Sequence, residues 1–99
     1  MPTHDNRHED MRQRVEYWAE RLHVGTPRVR VRDMTRKWGS CSTSGIITLA
    51  TDLSYQEGGF QDFVIVHELL HLHVPNHGKL FKALMTAHVP AWRAHEIAK

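Results

Sequence analysis

The chain has 99 residues and a formal net charge of +2 with neutral histidines, which suits one domain with a modest core. No run approaches the ~20 apolar residues of a membrane-spanning helix, and residues 1–8 lack the apolar stretch of a signal peptide. The single cysteine, Cys41, excludes a disulfide within the chain and suits a reducing compartment. We therefore expect one cytoplasmic domain over residues 1–99, with residues 1–8 as a mobile tail.

The first predicted element is a helix over residues 9–23, in which apolar residues recur three or four positions apart. The segment Gly25-Thr26-Pro27 ends this helix. We expect its apolar stripe to cover a sheet. The stripe consists of Met11, Val15, Trp18, Ala19 and Leu22.

Residues 28–34 begin with alternating basic and apolar side chains, which predicts a strand with Val29 and Val31 on one face. The basic face and the segment that follows it could contact the phosphates of a nucleic acid. The alternative, which we favour, is a solvated face whose charges prevent aggregation at the sheet edge. The cations concerned are Arg28, Arg30, Arg32, Arg36 and Lys37.

The second predicted strand covers residues 46–50, which are rich in β-branched side chains and follow a turn at residues 43–45. The two strands are expected to form a hairpin-like sheet, with a third segment near residues 37–42. Cys41 lies in that third segment. We interpret it as a small buried residue rather than a nucleophile or ligand, because no second cysteine is present.

Helices are predicted for the second half of the chain. Residues 54–57 resemble a capping box that opens a short helical turn, and Gly58-Gly59 breaks it. A helix that is apolar nearly all round follows over residues 60–73 and belongs in the middle of the domain. The next helix, capped by Asn76, ends at residue 88, and a last short helix covers residues 91–98 and carries Trp92. The stripe of the helix that ends at residue 88 consists of Phe81, Leu84, Met85 and His88.

His67, Glu68 and His71 form the pattern HExxH within the apolar helix. Residues four apart on a helix lie one above the other, about 6 Å apart, so the two histidines can share one metal ion. Glu68 flanks the same face and is placed to take a proton from water rather than to bind the metal. Catalytic zinc normally has three protein ligands and keeps one position for water, so one more ligand is required.

His77 is the best candidate for that third ligand. Pro75 cannot continue a helix and forces a turn, which can bring His77 back towards the metal. The spacing is that of metzincins, but Val74 replaces the glycine of their turn, so we do not assign that class. Glu96 is the alternative third ligand.

The pattern predicts a peptidase that binds one Zn²⁺ and uses Glu68 as general base. The alternative is a zinc-containing module that binds nucleic acid or protein without hydrolysis. A structural zinc site usually has four protein ligands, and the motif offers no obvious fourth, which favours the enzyme.

Two parts of the mechanism stay open at this point. The oxyanion donor could be Tyr55, Arg36, His88 or Arg93. The ring nitrogens that do not face the metal need acceptors, for which Asp52 and Asp62 are candidates.

Several separated stretches together resemble one family, the YgjP-like metallopeptidases, which are related to the SprT-like and Wss-like zincins. The matching stretches cover roughly residues 28–95, and the first of them is more distinctive than HExxH alone. They are Thr35-Arg36-Lys37-Trp38-Gly39-Ser40-Cys41-Ser42, Gly45-Ile46-Ile47-Thr48-Leu49, Val64-Ile65-Val66-His67-Glu68-Leu69-Leu70-His71-Leu72, Pro75-Asn76-His77-Gly78-Lys79-Leu80-Phe81 and Pro90-Ala91-Trp92-Arg93.

The resemblance implies a minimal zincin-like α+β fold. Its short, twisted, mainly antiparallel sheet would pack on an N-terminal helix and on the HExxH helix, and two short C-terminal helices would follow. The resemblance also implies zinc ligands at His67, His71 and His77, with Glu68 as base. A peptide substrate would add a strand to the sheet edge formed by residues 38–49.

Overall fold

The computed structural model describes residues 6–96 as a small α+β unit. The helices are α1 (Arg7–Arg21), α2 (Gly58–Leu70) and α3 (Lys79–His88), and the strands are β1 (Arg28–Arg32), β2 (Gly39–Cys41) and β3 (Ile46–Ala50). Two short 3₁₀ helices, Thr51–Tyr55 and Trp92–His95, precede α2 and follow α3. The predicted α+β class is confirmed.

The described sheet has the order β1-β3-β2, so β3 is its central strand. β2 pairs with β3 antiparallel, with Gly39 opposite Leu49. β1 pairs with β3 parallel, with Arg28 opposite Ile46. The prediction of a hairpin between the first and second long strands is therefore wrong, and the sheet is mixed rather than mainly antiparallel.

The physical reason is the turn between β2 and β3, which gives β3 a nearer antiparallel partner. The N–H of Gly45 donates to the carbonyl of Ser42 at 3.0 Å, and the Ser42 N–H donates to the carbonyl of Ile46 at 2.9 Å. Gly45 has a φ of +84°, which a residue with a side chain rarely adopts. With that side of β3 occupied by β2, β1 joins the other side.

Several helix boundaries differ from the predicted ones. α1 begins at Arg7, so residues 7 and 8 are helical and not part of a tail; residues 1–5 lie outside the described residues. The predicted capping box at residues 54–57 is absent, because Ser54 closes a 3₁₀ helix by donating to the Thr51 carbonyl. Gly78, not Asn76, caps α3. The last predicted helix is a 3₁₀ helix whose predicted continuation, residues 97 and 98, lies outside the described residues.

α2 runs through the middle of the core, as its apolar sequence predicted, and most of its residues are buried. The stripe of α1 packs against it, and Asp62 at the start of α2 accepts hydrogen bonds from Arg14 Nη1 at 2.8 Å and Trp18 Nε1 at 2.9 Å. On its other side α2 meets β2 at Gly39, where a Cβ would lie 3.2 Å from Glu68 Cγ. The fold thus holds the HExxH helix between α1 and the sheet edge.

Candidate active site

His67 and His71 lie at the C-terminal end of α2, where the helix leaves the core. The centres of their rings are 4.7 Å apart, as the four-residue spacing predicts. His71 is the C-cap residue of α2 and still has helical backbone angles, so the spacing holds at the helix end. Both rings are half-buried.

The turn after α2 brings His77 back to these two rings. The Val74 N–H donates to the Leu70 carbonyl at 2.8 Å and closes the helix end. His77 Nε2 lies 2.8 Å from His71 Nε2. One nitrogen from each of His67, His71 and His77 lies within 4.8 Å of the others, and this is the only such group of candidate ligands found within residues 6–96.

Phe81 of α3 holds the three rings in place. Its buried ring stacks on His71 at 4.9 Å between centres with an interplanar angle of 26°. The same ring meets His67 at 5.3 Å and His77 at 4.8 Å. The sequence predicted Phe81 only as part of a core stripe. Its position four residues after His77 could have indicated this second role.

Glu68 is the buried carboxylate of the site, with 7% of its surface exposed. Its Oε2 atom lies 2.9 Å from His67 Nδ1. When His67 Nδ1 carries the ring proton, its N–H donates a hydrogen bond to Glu68, and His67 Nε2 keeps a lone pair for a metal.

A backbone carbonyl fixes the position of the ring proton of His71 in the same way. Its Nδ1 atom lies 3.2 Å from the Val74 carbonyl oxygen, which can only accept, so the proton sits on Nδ1 and the lone pair on Nε2. Burial lowers the pKa of His71, and the neighbouring His67 lowers it further, which keeps the ring neutral near pH 7.

The acceptors at the Nδ1 atoms of His67 and His71 differ from the predicted carboxylates. Glu68 and the Val74 carbonyl are the partners of the His67 and His71 rings. Asp62 points to α1 instead, where it binds Arg14 and Trp18.

A cleft of about 550 Å³ opens over His67, Glu68 and His77. Its walls come from α2, from the β1–β2 connection, from α3 and from the C-terminal 3₁₀ helix. The other residues that line it are Arg36, Lys37, Trp38, Gly39, Phe63, Val64, Phe81, Lys82, Trp92 and Glu96. Glu96, the alternative ligand, thus lines the cleft but does not belong to the histidine cluster.

Of the four oxyanion-donor candidates, only Arg36 lines the cleft. Tyr55 is exposed and packs under the Arg7 guanidinium at 4.5 Å. His88 packs edge-on against Trp18 at 6.4 Å. The Arg93 guanidinium lies over the Trp92 ring at 4.4 Å.

The predicted cations fall into two groups. Arg28, Arg30 and Arg32 are exposed along β1, at the opposite edge of the sheet from β2. Arg36 and Lys37 line the cleft. Nothing in this arrangement supports the nucleic-acid contact that the sequence left possible.

Cys41 lies half-buried on β2. Burial raises the pKa of its thiol, and the charge of Glu68 raises that pKa further. The thiol is therefore neutral near pH 7, which agrees with a packing role.

Comparison with known proteins places this geometry in a family. Residues 3–97 match the YgjP-like metallopeptidase domain. The chain belongs to the YgjP-like metallopeptidase family. A search of curated proteins finds no match.

Two solved structures have a similar fold, and both are metallopeptidase zymogens. Abylysin of Pyrococcus abyssi is 26% identical, with a TM-score of 0.75, over 87% of this chain and 86% of that one. Jannalysin of Methanocaldococcus jannaschii is 20% identical, with a TM-score of 0.73, over 89% and 82% of the two chains. This YgjP-like protein is thus a metallopeptidase by family. None of its helices within residues 6–96 has the length and apolar character needed to cross a membrane.

Proposed function

We propose that this YgjP-like protein is a zinc-dependent peptidase in which His67, His71 and His77 hold one ion and Glu68 is the general base. The observation that carries the proposal is the convergence of three imidazole nitrogens within 4.8 Å beside a buried carboxylate. Three histidines are a ligand set of catalytic zinc and leave one position open.

The residues present fit such an ion. Nitrogen ligands of one tetrahedral zinc lie about 3.3 Å apart, given Zn–N distances near 2.0–2.1 Å. The 2.8 Å separation of His71 Nε2 and His77 Nε2 and the 4.8 Å limit for all three nitrogens span that value. The proton on His71 Nδ1 and its lowered pKa leave Nε2 free to bind.

When bound, zinc would lower the pKa of a water molecule and polarise the scissile carbonyl. Glu68 would take a proton from the attacking water and pass it to the leaving amine. One carboxylate oxygen, Oε2, is within hydrogen-bond distance of His67, so Oε1 is left for the proton transfer. Arg36, the one candidate donor in the cleft, would stabilise the oxyanion.

Substrate would bind along β2. β3 is central and covered on both sides, so the edge strand beside the cleft is Gly39–Cys41 alone and not the whole of residues 38–49. An extended peptide can add to this edge by backbone hydrogen bonds, which gives affinity with little sequence selectivity.

The test combines metal content with hydrolysis of an unfolded protein such as casein. We expect about one zinc per chain in the parent and in Glu68→Gln, and little in His77→Ala. Hydrolysis should be lost in both variants. His73→Ala is the matched control, because His73 is an exposed histidine outside the cluster and should keep both metal and activity.

Each role can fail separately. Full zinc content in His77→Ala would refute the third ligand, and Glu96→Gln would then test the alternative. Hydrolysis that persists in Glu68→Gln would refute the base. A parent that binds zinc but cleaves nothing would support the non-hydrolytic binding module.

A further inference from the structure

We propose that the cleft selects peptides that carry a carboxylate beside the scissile bond. The inference rests on the peptidase function proposed above and adds the class of substrate. It is carried by unpartnered cations, by the shortage of carboxylates around them and by the shape of the cleft.

Three cations line the cleft from two separate parts of the chain. Arg36 and Lys37 lie in the β1–β2 connection, and Lys82 is the fourth residue of α3. Within residues 6–96, the charged groups of these three side chains have no hydrogen-bond or ion-pair partner. Their positive charge is therefore available to a ligand.

The cleft offers few negative charges in return. Its described lining contains two carboxylates, Glu68 and Glu96. Glu68 is buried and paired with His67, so Glu96 is the one exposed carboxylate in this lining. The proposed metal ion would add further positive charge. A basic peptide side chain would thus meet like charges, and an acidic one would meet opposite charges.

The shape of the cleft suits a charged group on an apolar stem. Trp38, Phe63 and Trp92 contribute aromatic surface to a cleft of about 550 Å³. The methylene groups of a glutamate can lie against these rings while its carboxylate reaches the cations. The carboxylate could come from an acidic side chain or from the C-terminus of a peptide, and the experiment separates the two.

Binding is measured with the zinc-loaded Glu68→Gln protein, so that no substrate is consumed. The probes are fluorescent peptides of one length, blocked at both ends, that differ only in two central residues: Glu, Gln or Lys. We expect the Glu peptide to bind about tenfold more tightly than the Lys peptide, with Gln between them. The ratio should fall towards one at 0.5 M salt, because exposed charges are screened.

Charge reversals identify the cations responsible. In the same background, Lys82→Glu and Lys37→Glu should each remove most of the Glu preference, and together they should reverse it. Lys79→Glu and Arg28→Glu are the controls, because they reverse the same charge at exposed positions that do not line the cleft. The controls should keep the parent ratio.

A fourth probe carries Gln at the centre and a free C-terminal carboxylate. If this probe gains the tenfold advantage and the blocked Glu peptide does not, the terminal carboxylate is the group recognised. Equal binding of all probes would overturn the proposal, as would a Glu preference that survives both lysine reversals.

The outcomes also separate this proposal from the proposed function. If the parent protein hydrolyses casein but the Glu, Gln and Lys peptides bind equally, the peptidase function stands and the substrate class falls. If the parent hydrolyses nothing and the Glu68→Gln protein binds no peptide, both proposals fall.

Discussion

Gly39 sets the distance between the sheet edge and the proposed base, so Gly39→Ala is the sharpest probe of the site. A Cβ at this position would lie 3.1 Å from Val64 Cγ1, 3.2 Å from Glu68 Cγ and 3.3 Å from the Thr48 carbonyl oxygen. Neither side can yield freely, because Val64 and Glu68 are buried in α2 and Thr48 is paired in the sheet. The substitution must therefore push β2 and α2 apart.

The magnitude follows from these distances. Carbon atoms prefer separations of about 3.5–4.0 Å, so the contacts must open by about 0.5 Å. Overpacking of this kind costs about 1–2 kcal/mol. For a domain of this size, that lowers Tm by about 5–15 °C. A misplacement of 1 Å costs about 100-fold in rate, so a shift of about 0.5 Å at Glu68 should lower kcat/KM about tenfold.

The assay measures thermal unfolding by circular dichroism and kcat/KM on a peptide substrate, at a temperature where both proteins are folded. Gly25→Ala is the control, because nothing lies within 4 Å of its added Cβ and its φ is not positive. This control should leave activity unchanged and Tm unchanged or slightly raised. A Gly39→Ala protein with the Tm and kcat/KM of the parent would show that close packing at Gly39 does not determine the position of Glu68.

Two further predictions concern α2. Asp62→Ala should lower the free energy of unfolding by about 1–2 kcal/mol, because Arg14 and Trp18 lose their shared acceptor. Urea unfolding measures this free energy. The control is Asp33→Ala, which changes an exposed residue and should match the parent. In metal-free protein, the Cε1–H signal of His71 should titrate below about 6.5 by NMR, since burial and then His67 lower its pKa. Because the pKa of His71 is lower in the folded protein than in the unfolded chain, protonation of His71 favours the unfolded chain. The stability contributed by neutral His71 is therefore complete above pH ~6.5, and it is lost as the pH falls from ~6.5 through the pKa of the folded protein. A titration midpoint at or above 6.5 would contradict this.

The clustering of the three histidines was predictable from sequence because its geometry is mostly local. A four-residue spacing on a helix brings His67 and His71 together regardless of the rest of the fold. Pro75 forces the turn that returns His77 to His71. The partners of the rings were not predictable in the same way, since a backbone carbonyl such as that of Val74 carries no signal in the sequence.

The pairing of the strands was not predictable from the same patterns. Alternation in β1 indicates which side chains share a face, but it does not indicate which strand lies beside β1 or in which direction that strand runs.

The start of α2 was missed for a different reason. Gly58 and Gly59 usually break helices, but here Gln61 anchors the first turn by donating to the Gln56 carbonyl at 3.0 Å. Glycine destabilises a helix mainly in the interior, through lost backbone entropy, and Gly58 and Gly59 are the first two residues of α2.

The central position of β3 has a consequence for how the chain assembles during synthesis. Both neighbours of β3 precede it in the chain, so β1 has no sheet partner until residues 46–50 leave the ribosome. β2 needs only the short turn at residues 42–45 and can pair within about 1–10 μs, whereas β1 must first close the longer loop over residues 33–45. During that wait, Arg28, Arg30 and Arg32 flank the apolar Val29 and Val31 on an unpaired strand. We expect these arginines to disfavour pairing of the exposed strand with other chains until β3 is available.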